Sequence, residues 1–296
     1  MSQPSLVPAP EVVKTCCAGL YASDWVRLLL GESLHPGGLR LTEHLAKVIG
    51  LERGHRVLDV ASGRGLSAIH LARTVGCSVV GVDYSAENVV TARRAASEHG
   101  VSDRVRFLAG DAERLPVEDG GFDAVIAECA FCTFPDKPAA AAEFARVLRP
   151  GGRLGLTDLL RSRPLPAELS SLAAWVACIG DARPLEEYLA LLEDTGLRID
   201  RVERHDGALA ELVEMVRTRL LTVQVAVRLA AVPLPNIDWA EVRPMLQSAA
   251  AASPHPRPPH PLTPSPPPSP PPARLHHPLP PRPPPLPPPA SRHLLP

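Results

Sequence analysis

The sequence lacks a charge excess of either sign. Its 31 Lys and Arg balance 32 Asp and Glu, for a formal net charge of -1. That balance gives no electrostatic reason to expect a nucleic-acid partner. No apolar run approaches the roughly 20 residues needed to span a bilayer, so no membrane partner is expected either. Residues 1–10 hold neither a basic region nor an apolar core. A signal peptide is therefore not expected, and the expected location is cytoplasmic. In that compartment the six cysteines read first as thiols rather than bridges. Acidic residues are absent after Glu241, and residues 253–296 are mostly Pro with Arg, His, Ser, Leu and Ala. Proline lacks the N–H and fixes φ, which excludes helix and central strand there. A disordered or polyproline II tail is expected. Two readings of it stay open: a Pro-x-x-Pro recognition tail, or GC-rich coding sequence read out of frame, which the composition favours.

What is present begins with Val57-Leu58-Asp59-Val60-Ala61-Ser62-Gly63-Arg64-Gly65-Leu66-Ser67. An apolar strand stops at a glycine turn and an amphipathic helix follows over 68–73. A second strand, 78–82, ends in Asp83. The glycines allow the backbone to approach a ligand where a Cβ would collide. The carboxylate closing the second strand is placed to accept from ribose hydroxyls. The loop lacks the third glycine of the dinucleotide fingerprint, which argues against a dehydrogenase.

Further strands are expected over 105–108, running into Gly110-Asp111-Ala112, and over 124–127, ending in Glu128. A helix over 139–148 stops at Arg149-Pro150-Gly151-Gly152, and a strand over 153–157 follows. This order of motifs resembles the class I S-adenosylmethionine-dependent methyltransferases over residues 40–205. The resemblance implies an α/β Rossmann-like fold with a mainly parallel sheet and an N-terminal helical cap. It implies S-adenosylmethionine as cofactor, its methionine part held by Asp59, Gly63 and Gly65. Asp83 would take the ribose, and Asp111 and Ala112 would flank the adenine. Tyr84 and Glu128 complete the expected cofactor shell.

The family's sheet has seven strands, the last antiparallel. Residues 197–203 read as the sixth, helical patterns cover 207–229 and 237–252, and the proline tail begins where the last strand is due. The sheet is therefore expected to lack it. The expected divisions are a helical cap over 1–45, the cofactor-binding domain over 46–205, a helical region over 206–252 and the tail over 253–296.

Cysteines carry the clue to the acceptor. Cys129 follows the fourth strand, in Glu128-Cys129-Ala130-Phe131-Cys132-Thr133-Phe134-Pro135-Asp136-Lys137. Cys178 precedes Gly180 by two residues, and Cys16-Cys17 lie on an N-terminal amphipathic segment. Cys129 with its Pro135-Asp136-Lys137 neighbour, the stretch Thr157-Asp158-Leu159 and Cys178 resemble the arsenite methyltransferases. That resemblance implies trivalent arsenic held by Cys129 and Cys178 as a small-molecule substrate, with methyl transfer from the sulfonium. Soft arsenic prefers thiolate sulfur, as soft metals do. The family's cysteine upstream of the cofactor loop is missing, since the region reads Leu34-His35-Pro36-Gly37-Gly38; Cys16 or Cys17 would have to replace it. Two alternatives remain: a quinone- or sterol-type small-molecule methyltransferase in which the cysteines merely pack, and a metalloid-binding protein without catalysis. Cys77 reads as packing, and Cys132 lacks the second cysteine pair that a structural zinc site needs. His35 precedes Pro-Gly-Gly, a turn that could cover the cofactor, but as a loop histidine it reads first as a solvated surface residue. Oligomeric state and the number of methyl groups transferred are not legible.

Overall fold

A computed structural model describes residues 9–161 and 180–228. Three helices open the chain: α1 (Pro10–Ala22), α2 (Asp24–Leu30) and α3 (Gly38–Val48). Ser23 caps α2, its hydroxyl accepting from the Val26 amide at 3.4 Å. Strands and helices then alternate: β1 (Arg56–Val60), α4 (Leu66–Thr74), β2 (Ser78–Asp83), α5 (Ala86–Glu98), β3 (Val105–Ala109), β4 (Phe122–Glu128), α6 (Lys137–Val147) and β5 (Leu148–Thr157). Helices α7 (Leu185–Glu193) and α8 (Asp206–Arg228) follow.

The described strands form one parallel sheet in the order β3-β2-β1-β4-β5. The central strands are largely apolar, as parallel strands covered on both faces are. Alternation with period two splits the core into two layers. Val57, Val79, Phe107, Ala124 and Ile126 face one way, onto α3, α4 and α5. Leu58, Val60, Val80, Val125 and Ala127 face the other, onto α6 and α7. Parallel pairing places the carboxyl ends of β1, β2 and β4 on one edge of the sheet, and the order reverses between β1 and β4. Ligands bind at such a switch point.

The structure departs from expectation at residues 197–203, which join no ladder. Leu197 and Ile199 pack on the second core layer. Arg198–Asp200, Arg201–Glu203 and Arg204–Asp206 are ion pairs between residues two apart. The segment satisfies its apolar side by packing and its charged side by these pairs, without strand pairing. Residues 223–228 continue α8, in line with the helical pattern over 207–229. Cys178, the helix expected over 237–252 and the proline-rich tail lie outside the described residues.

Candidate active site

Two non-glycine residues in the left-handed region mark the carboxyl edge of the sheet. Ala61 follows β1 with φ 59°, and Cys129 follows β4 with φ 53°. Each costs a non-glycine residue about 1–2 kcal/mol, and such backbone strain collects at functional sites. Both residues line the cavity that opens at the switch point.

The acidic residues converge there. Asp59 is 3 % exposed on β1. It accepts from the Ala68 amide at the start of α4, while its Oδ2 has no hydrogen-bond partner. Burial, with the neighbouring Glu128 and Asp83 carboxylates, raises its pKa well above the ordinary value. Asp83 ties the glycine loop to β2. Its Oδ2 accepts from the Gly63 amide at 2.7 Å, and its Oδ1 accepts from the Ser85 amide at 2.9 Å and Asn88 Nδ2 at 3.2 Å. Burial raises its pKa despite these donors. Glu128 accepts from Thr42 Oγ1 at 2.9 and 3.1 Å and from Ser67 Oγ at 2.6 Å.

Of the residues singled out in the sequence, Asp59, Gly63, Asp83, Tyr84, Asp111, Ala112 and Glu128 all line this cavity. Gly65 does not line it; a Cβ there would overlap the Phe107 ring, so the glycine serves the packing of loop on β3. Gly63 has φ +53 and nothing within 4 Å of an added Cβ, which leaves its cavity side open. The Tyr84 hydroxyl donates to Glu11 Oε2 at 3.0 Å, bringing α1 over the cavity. Lys14 on the same helix reaches Asp111 at 2.7 Å and Glu113 at 2.5 Å. Cys17 and Cys129 line the cavity and Cys16 does not.

His35 is the residue that sequence reasoning undervalued. Its side chain is only 10 % exposed, and it lines the cavity. Nδ1 lies 3.3 Å from the Pro36 carbonyl, which fits an Nδ1–H donor and leaves Nε2 as an acceptor. Nε2 is buried with no hydrogen-bond partner, 3.7 Å from Glu128 Oε2. The Pro-Gly-Gly turn that follows it was the available signal, because such a turn can fold a loop inward.

Comparison with known proteins gives this geometry a family. A model described as a methyltransferase domain matches residues 57–152. The 27-O-demethylrifamycin SV methyltransferase of Amycolatopsis mediterranei is 36% identical over 197 residues, covering 61% of this chain and 72% of that one. Methyltransferase GfsG of Streptomyces halstedii is 37% identical over 169 residues, 56% of this chain and 61% of that one. The arsenite methyltransferase of Halobacterium salinarum is 30% identical over 156 residues, 52% of this chain but 40% of its own length. A solved putative sarcosine dimethylglycine methyltransferase from Galdieria sulphuraria shares the fold with a TM-score of 0.66 at 22% identity, covering 78% of this chain and 94% of that one. The chain belongs to the class I S-adenosylmethionine-dependent methyltransferases. It is therefore an S-adenosylmethionine-dependent methyltransferase.

The residues present fit that cofactor. A buried carboxylate oxygen without a donor, on Asp59, sits among further carboxylates on Asp83 and Glu128. This excess of negative charge suits a ligand carrying an ammonium and a sulfonium. No helix among the described residues is long and apolar enough to cross a membrane.

Proposed function

We propose that this methyltransferase acts on a hydroxyl group of a small organic molecule, with His35 as the general base. The observation that carries the reading is the buried, unpartnered Nε2 of His35 beside Glu128 in the cavity. The bound cofactor supplies an electrophilic methyl group on sulfur. Asp59 and Glu128 would hold its positive charges, Asp83 its ribose, and Asp111 with Ala112 its adenine. Gly63 would give its backbone room. His35 Nε2 would take the proton of the acceptor hydroxyl as the oxygen becomes methylated. The Pro36 carbonyl holds the tautomer with Nε2 open, and Glu128 would stabilise the imidazolium that forms. The similarity to the rifamycin methyltransferase supports an oxygen acceptor, since its name places the methyl group on O-27.

A second reading, methyl transfer to trivalent arsenic, is favoured by Cys17 and Cys129 lining the same cavity. In that reading thiolates hold the metalloid, its lone pair attacks, and no general base is needed. His35 occupies the stretch where the arsenite enzymes carry a further cysteine, which weighs toward oxygen.

The test is methyl transfer from labelled cofactor to a panel of polyhydroxylated polyketide-type acceptors, and separately to arsenite with thiol. His35→Ala should lower transfer to the hydroxyl acceptor by about 10²–10⁴-fold while leaving cofactor binding unchanged. Activity on arsenite that is lost in Cys129→Ser and kept in His35→Ala would replace the first reading with the second.

A further inference from the structure

A second cluster lies just beyond the cofactor cavity, at the carboxyl ends of β4 and β5. Cys129 Sγ, Cys132 Sγ and a carboxylate oxygen of Asp158 lie within 4.8 Å of one another. Cys129 precedes a 3₁₀ turn, Phe131–Thr133, Cys132 lies within that turn, and Asp158 follows β5 directly. Cys132 is 1 % exposed, and Cys129 is half-buried at the cavity wall.

The backbone around the three is fixed from several directions. Asp158 accepts from the Cys132 amide at 2.8 Å and from the Leu159 amide at 2.7 Å. The Cys129 amide donates to the Thr157 carbonyl at 2.7 Å, tying the two strand ends together. Lys137 donates to the carbonyls of Cys132 at 3.0 Å and Phe134 at 3.1 Å, which holds the turn from below. The left-handed backbone of Cys129 is the one element of strain, and it falls on a ligand candidate.

The donor set is informative. Two thiolates and one carboxylate match zinc-class cations and disfavour magnesium or calcium, which require oxygen shells. Tetrahedral ligands at about 2.3 Å from zinc stand about 3.8 Å apart, so the cluster would need to contract by at most about 1 Å. Three protein ligands leave a fourth position open, the pattern of reactive rather than structural zinc.

We propose that Cys129, Cys132 and Asp158 bind a thiophilic divalent cation of the zinc class, with the open coordination position on the cavity side at Cys129. The site does not depend on which acceptor the enzyme methylates. It gives Cys132 and Asp158 a role that neither acceptor reading supplies. Because Cys129 is shared with the cavity wall, a bound cation would stand at the edge of the space open to an acceptor.

The test uses the full chain, reduced with a non-thiol phosphine. Cadmium titration should give a near-ultraviolet thiolate-to-metal charge-transfer band saturating at one ion per chain, and zinc should displace it. Cys132→Ser and Cys129→Ser should each weaken cadmium binding at least tenfold and reduce the band, and Asp158→Asn should weaken it without abolishing the band. Cys77→Ser is the control and should bind as the parent does. Circular dichroism melting and cofactor titration verify that each variant is folded; Cys129→Ser, at a half-buried position, serves if Cys132→Ser does not fold. The proposal is overturned if the parent shows no saturating band, if both cysteine variants bind cadmium like the parent, or if arsenite binds the two thiols while cadmium and zinc do not. Cofactor affinity is measured apart from metal binding, so failure here leaves the methyltransferase assignment standing.

Discussion

Lys14 on α1 donates to Asp111 Oδ2 at 2.7 Å and pairs with Glu113 at 2.5 Å, joining the N-terminal helix to the loop after β3. Burial opposes its charge, yet the hydrogen bonds to both carboxylates raise its pKa. Hydrogen bonds to charged groups contribute about 1.5–3 kcal/mol. With Lys14 only 12% exposed, most of that should survive screening. Lys14→Met should therefore release α1 from the cavity. Amide exchange over residues 10–22 should accelerate about tenfold or more, while the sheet keeps its protection. Equal exchange in parent and variant would mean that Val13 and Cys17, buried together, hold the helix without the ion pair.

The two loop glycines should behave differently. Gly65 has φ +82, and a Cβ would overlap Phe107 and press on Ala92 at 3.1 Å. Strain and overpacking together should cost Gly65→Ala about 3 kcal/mol or more. Gly63→Ala meets no protein atom and should cost only the left-handed penalty of about 1–2 kcal/mol. Its methyl group would enter the space expected for the cofactor. Melting curves should show Gly65→Ala severely destabilised and Gly63→Ala nearly normal, with calorimetry showing loss of cofactor binding in the latter. Normal cofactor affinity in Gly63→Ala would remove this glycine from the site.

Much of this arrangement was legible in the chain, because parallel strands buried on both faces read as continuous apolar runs. The runs at 57–60, 78–83, 105–109 and 122–128 each end at a glycine, an acid or both, and the cavity forms from those endings. Residues 197–203 misled because alternating apolar and charged residues signal an extended chain but not a partner strand. His35 was undervalued because burial of a loop depends on what α3 packs against, which no local pattern records. Asp158 was noticed in its stretch, but its closeness to Cys132 was not legible for a related reason. It lies 26 positions from Cys132, and only the adjacency of β4 and β5 brings the two together.

The change of composition at Ser253 allows a simple measurement. The proline-rich composition of residues 254–296 offers little apolar surface to bury. Truncation after Ser253 should leave the melting temperature and cofactor affinity unchanged. A fall of several degrees would assign the tail a stabilising contact with the catalytic unit.

Asp59 gives the sharpest test of the electrostatic argument. Burial first, then Glu128 and Asp83, raise its pKa in the folded protein above the ordinary 3.8. A raised carboxyl pKa means that the fold prefers the neutral acid. The associated stability is fully present below the unfolded pKa and is lost as pH rises through the folded value. Near neutral pH and without cofactor, an ionised Asp59 is therefore a cost. Asp59→Asn keeps an oxygen to accept from the Ala68 amide and removes the charge. The apo variant should melt higher than the parent at pH 7–8, with the difference shrinking as pH is lowered toward 4. Saturating cofactor should raise the parent's melting temperature more than the variant's, because the ligand's positive charge relieves the repulsion only where the carboxylate exists. Thermal scans across pH, with and without S-adenosylmethionine, measure both effects. An Asn variant that melts lower than the parent at pH 7, with an unchanged cofactor shift, would show that the Asp59 charge is already compensated within the protein and is not reserved for the ligand.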